Sequence, residues 1–169
     1  MRKFLSLALA ICVASRFAMA ADEHAEWEKY ETVEYGLSMK IPKGAKVLER
    51  EKSGGWGGLQ VKHEGVELNA LAKLAVFADP DEIHKFAEKE CGISAKNWTK
   101  VDSGKDKSGW KWYEIYEASH EGTLIFAGMG TGPKGSYLLF LKTTKEDYEK
   151  HKPEYKEWFA SVRLFEKKE

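Results

Sequence analysis

Residues 79–92 read DPDEIHKFAEKECG, and each position of this stretch argues for one short helix. Asp79 can accept from the free amides of a first turn, and Pro80 suits the first helical position, where its missing N–H has no partner to lose. Glu82 stands where a capping box places its acid. Ile83, Phe86, Ala87, Glu90 and Cys91 follow at helical spacing, and Gly92 supplies the residue that ends a helix. The spacing predicts a helix over 80–91. It puts Cys91 on one stripe with Ile83 and Ala87, where an unpaired cysteine acts as a small buried apolar group.

Outward from this helix the period changes from helical to two. Leu37-Ser38-Met39-Lys40-Ile41-Pro42 alternates like a half-buried strand, and Pro42 stops it. Glycines 54, 55, 57 and 58 bracket Trp56 in what reads as a flexible turn. Residues 59–63 alternate again, Glu64-Gly65 is a hairpin turn, and 67–77 reads as a long apolar strand. Beyond the helix a short strand is expected at 98–102, then strands at 110–119, 123–130 and 137–143. Leu138-Leu139-Phe140-Leu141 is apolar without alternation, which suits a strand covered on both faces. Thr144 caps a second helix whose apolar stripe is Tyr148, Tyr155, Trp158, Phe159 and Val162; Pro153 predicts a kink or a restart within it. Residues 163–165 add a last strand. The class is α+β, a mainly antiparallel β-sheet flanked by helices.

The first residues carry the three parts of a secretory signal: Arg2 and Lys3, an apolar run from Phe4 to Ser15, and Ala18-Met19-Ala20 as a cleavage site. The run is about 12 residues against about 20 for a membrane span, so no transmembrane helix is expected after cleavage. The reading is a signal peptide at 1–20, a leader at 21–34 with a strand near its end, and a single domain at 35–166, in the periplasm or secreted. Cleavage removes three cations, Arg2, Lys3 and Arg16, from a chain with 27 basic and 27 acidic residues, leaving a net charge of −3. That balance, with no block of like charges, argues against nucleic acid. Cys12 leaves with the signal, so Cys91 cannot form an intramolecular disulfide.

Two end segments carry a family resemblance. Gly36-Leu37-Ser38-Met39-Lys40-Ile41-Pro42-Lys43-Gly44 is similar to the GFSI-x-x-P-x-G strand and turn that opens the PsbP-like domain. The run Gly135 to Leu141, then Thr144-Lys145-Glu146-Asp147-Tyr148, Lys152-Pro153 and Ser161-Val162-Arg163-Leu164, resembles that family's closing strand, helix and end. The resemblance implies an α/β/α sandwich, shared with photosystem II extrinsic subunits and with a nuclear import factor that binds the Ran GTPase. It also implies accessory binding of proteins or ions, with no common catalytic chemistry. Both segments are structural, so no functional residue carries over.

The residues themselves offer three candidate chemistries. Trp110 and Trp112 share a strand face with Glu114 and Tyr116, a half-polar surface where a groove could lie; Trp56, inside its glycine turn, is hard to bury. These five are the expected contacts to a protein partner or small ligand, for a non-enzymatic exported protein without a cofactor. The alternative is a metal-binding protein or metal-dependent hydrolase using His63, Glu64, His120 and Glu121, if their two turns meet. A thiol enzyme built on Cys91 is the third, but His84, two helical turns away, lies about 10.5 Å along the axis, beyond hydrogen-bond reach.

Overall fold

A helix occupies Pro80–Cys91 as the caps require. In the computed structural model, which describes residues 26–166, the Asp79 carboxylate accepts from the Glu82 amide at 2.8 Å. Gly92 closes the other end in a left-handed conformation, its N–H donating to the Glu88 carbonyl at 2.9 Å. The expected signal peptide, 1–20, and the first leader residues, 21–25, lie outside the described residues.

The elements run β1 (Trp27–Thr32), β2 (Leu37–Pro42), β3 (Lys46–Ser53), β4 (Trp56–His63), β5 (Val66–Leu74), α1 (Pro80–Cys91), β6 (Trp98–Lys107), β7 (Trp110–His120), β8 (Thr123–Gly132), β9 (Gly135–Thr144), α2 (Lys145–Ser161) and β10 (Arg163–Leu164). A seven-stranded sheet has the order β3-β4-β5-β9-β8-β7-β6, and every pairing in it is antiparallel. A second sheet of three strands, β1-β2-β10, lies with α2 on one face of the first, while α1 covers the opposite face.

Strand parity sorts the core into two layers. On β9, Tyr137, Leu139 and Leu141 point to the α2 side, and Leu138 and Phe140 to the α1 side. β8 repeats the rule with Leu124 and Phe126 against Ile125, Ala127 and Met129. β9 thus lies at the middle of a sandwich with both faces sealed, as its lack of alternation implies. Ile83 and Ala87 close the α1 layer; Tyr148, Tyr155, Trp158 and Phe159 close the α2 layer.

Five expectations need correction, the first being that β5 ends at Leu74, short of Phe77. β3, Lys46–Ser53, is an additional strand, and β6 runs to Lys107 instead of ending at Asp102. Both are polar edge strands, paired on one side only, and charged side chains are what such edges carry. Trp56 is the first residue of β4, not part of the turn, which is confined to Gly54-Gly55. Finally, α2 is one helix through Pro153, with no restart. Proline costs the Glu149 carbonyl its helical donor, and side-chain contacts span the position. Asp147 accepts from Thr143 Oγ1 at 2.7 Å, from His151 Nδ1 at 3.0 Å and from the Tyr155 hydroxyl, which ties together the turns before and after Pro153. Burial works against this carboxylate, but those donors outweigh it and hold its pKa below the ordinary value.

The strand expected near the end of the leader is β1, which pairs along all six residues with β2. No helix among the described residues is long and apolar enough to cross a membrane.

Candidate functional site

The two His-Glu-Gly turns join β4 to β5 and β7 to β8. They do lie at one end of the sheet, because Glu67 and Thr123 both pair near the end of β9, with Lys142 and Thr144. Between β4 and β7, however, stand β5, β9 and β8. Four strand spacings of about 4.8 Å put His63 and His120 roughly 19 Å apart, whereas ligands to one zinc ion each lie about 2 Å from it. Each histidine instead lies near its own neighbour, His63 at 3.8 Å from Glu64 and His120 at 3.6 Å from Glu121. Among the described residues no group of three or more His, Cys, Asp or Glu side chains converges. His63, Glu64, His120 and Glu121 are therefore two separate surface turns.

Cys91, half-buried at the end of α1, packs on the α1-side core. Burial pushes its thiol up to about 12, with the Glu90 carboxylate adding to the effect. A thiol so raised is almost wholly protonated near neutral pH, so it lacks the thiolate that nucleophilic chemistry requires. His84 faces elsewhere, with Nδ1 3.0 Å from Glu88.

The proposed aromatic contacts separate. Trp56 is buried, its ring stacked on Phe86 of α1 with centroids 4.2 Å apart; a helix side chain supplies the cover its glycine neighbours lack. Trp110 does not share a face with Trp112. At the first position of β7 its ring turns to the α2 side, 6.0 Å from Tyr137 and 6.1 Å from Phe159. Trp112, Glu114 and Tyr116 remain together on the α1 side. There Glu114 accepts from the Tyr116 hydroxyl at 2.7 Å and from Lys100. Burial opposes its ionisation, but these bonds hold its pKa below the ordinary value. Trp112 and Glu114 border an open recess with Lys105 and Lys111, and Lys111 lies over the exposed Phe77 ring at 4.2 Å. On this surface Glu114 is taken up by Lys100 and Tyr116.

A better-formed concavity lies on the opposite face. α2 packs chiefly on β8 and β9, and its end meets the β6–β7 margin of the sheet through Phe159. The resulting groove, about 400 Å³, has Trp110, Tyr113, Ile115, Phe126 and Phe159 among its lining residues, with Lys107, Lys156, Arg163 and Asp102 as its charged groups. That volume and an apolar lining with few polar groups are those of a small-molecule site. Neighbouring charges on α2 are committed elsewhere, Lys152 to Glu117 and Glu157 to Lys40. No ion pair among the described residues takes Lys107, Lys156 or Arg163.

Of the residues expected to make contacts, the groove contains only Trp110. The rest left one sequence signal: Lys156, Phe159, Ala160 and Arg163 recur at i, i+3, i+4 and i+7, a helix face with an aromatic between cations.

No protein-family model and no curated protein sequence matches the chain. Solved structures do. The solution structure of cyanobacterial PsbP (CyanoP) from Synechocystis sp. PCC 6803 aligns with a TM-score of 0.61 over 86% of this chain and 96% of that one, at 13% identity. The fold is PsbP-like. A Pseudomonas aeruginosa protein of unknown function, PA94, aligns over 85% of this chain and 99% of its own at 13% identity, with a TM-score of 0.40. At such identities the likeness concerns the PsbP-like backbone alone, and the groove must be read from this chain's own residues.

Proposed function

We propose that this chain is an exported, non-enzymatic accessory protein of the PsbP-like family, working in the periplasm or outside the cell by binding. Its groove beside α2 holds a small ligand. The observation that carries the proposal is a concavity of about 400 Å³ where the end of α2 meets the β6–β7 margin, walled by largely buried aromatic rings and bordered by cations that no ion pair among the described residues takes. The signal-like N-terminus and the likeness to a cyanobacterial PsbP support export and an accessory role. A protein partner is the second form of the same reading, but the size of the groove favours a small molecule.

The neutral apolar fluorophore N-phenyl-1-naphthylamine tests the site. The mature protein is expected to brighten it, and Ala160→Trp, which fills the groove from an exposed helix position, is expected to abolish the signal at unchanged circular dichroism. Equal brightening by both proteins, or none by either, would remove the groove as the binding site.

A further inference from the structure

The groove has two unlike ends, and we infer from them that its ligand is an amphipathic monoanion, bound head-first at Arg163 and Lys107. This rests on the reading of the groove as a small-ligand site. The Leu164 amide donates to the Ser108 carbonyl at 2.9 Å, which brings the chain leaving α2 against the turn between β6 and β7. Arg163 and Lys107 are the residues flanking that contact, and both line the groove. Lys156 lies about two helical turns, or roughly 10 Å, back along α2. The groove's one acid is Asp102, which lies five residues before Lys107 on β6, away from the Leu164 contact and opposite Ile115. Thus two cations mark one end, and the remaining charges are one cation and one acid.

Arg163 is also held in place. Its Nη1 donates to the carbonyls of Ala160 and Val162, both at 2.7 Å, so the guanidinium is anchored to the end of α2. A guanidinium has five N–H donors, so a planar edge is left to meet an anionic head in a two-point bond. By binding these carbonyls the guanidinium offsets the negative end of the helix, which otherwise repels an anion. From that head the lining continues through Trp110, Tyr113 and Phe126, surface suited to an alkyl or aryl body and to no second charge.

Calorimetric titration with octanoate and with 1-octanol separates the head from the body. Octanoate is expected to bind at least about tenfold more tightly than octanol at low salt, where exposed charges act most strongly. Lys107→Gln, a change at the exposed end of β6, should lose part of that advantage. Lys107→Gln with Arg163→Gln should lose nearly all of it while octanol binding stays unchanged, and Lys156→Gln should retain it. Equal wild-type affinities, or an advantage that survives the double substitution or disappears in Lys156→Gln, would overturn the head-first assignment and leave the groove as a neutral site. Binding of neither compound would overturn the groove reading itself.

Discussion

Gly109→Ala is expected to destabilise the protein by about 3 kcal/mol and to abolish the octanoate preference. Gly109 has φ +88°, and a methyl group built there would lie 1.9 Å from the Leu164 carbonyl oxygen. The left-handed conformation alone costs a residue with a Cβ roughly 1–2 kcal/mol, and forced overpacking adds about 1–3 kcal/mol. Because the obstructing atom belongs to the backbone, the strain cannot be relieved by turning a side chain. The chain must separate at the contact between Leu164 and Ser108, which is the contact that sets Arg163 beside Lys107. For a domain of this size the melting temperature should fall by about 6–12 °C. Differential scanning calorimetry reads the first effect and the octanoate titration the second. A variant as stable as the parent would show that the β10 approach is looser than described.

The second large effect lies on the same wall. Phe159 touches the aromatic cluster of Trp110, Tyr113, Phe126 and Trp158, with ring centroids between 6.1 and 6.3 Å away. It lies directly over Gly128 of β8, where an added Cβ would be 1.9 Å from the ring. Phe159→Ala is expected to cost about 3–5 kcal/mol, and Gly128→Ala about 1–3 kcal/mol by overpacking. In combination the two should not add. With the ring removed the new methyl has room, and Gly128→Ala in the Phe159→Ala background should be close to neutral. Urea denaturation of the four proteins gives the coupling directly. Simple additivity would mean that Phe159 does not rest on Gly128 and that the floor of the groove is built otherwise.

What the sequence made legible follows how local each signal is. The caps of α1 are read within a few residues, and the helix ends where they say. The unbroken apolar run of β9 and the two glycine hairpins are equally local, and each forms as expected. β3 was hidden because LEREK is as charged as any loop, and only its pairing with β4 makes it a strand. The three-stranded sheet depends on Arg163 and Leu164 meeting Ser38 and Leu37, more than a hundred residues away, which no local pattern encodes.

The site was less legible than the fold, for the same reason. Trp110 precedes Trp112 by two, so alternation assigns both to one face. Its position at the strand's first residue, against a turn held by Leu164, sends the ring to the other. Trp56 was misplaced in the opposite sense, since its flanking glycines suggest exposure and the cover comes from Phe86, thirty residues on. The groove forms where the end of α2 meets the β6–β7 margin, and that long-range meeting has no residue pattern of its own. Only the cations at Lys156 and Arg163 around Phe159 left a periodic trace.

An amide-resolved NMR titration of the mature protein with octanoate tests the central claim most directly. Progressive shifts are predicted along residues 107–115, at Phe126 and from Phe159 to Leu164, with Trp112–Tyr116 on the α1 face responding only through backbone they share with the groove. Shifts centred on Lys100, Lys105, Lys111 and the α1 N-terminus, with the α2 end still, would place binding on the opposite face and contradict the account.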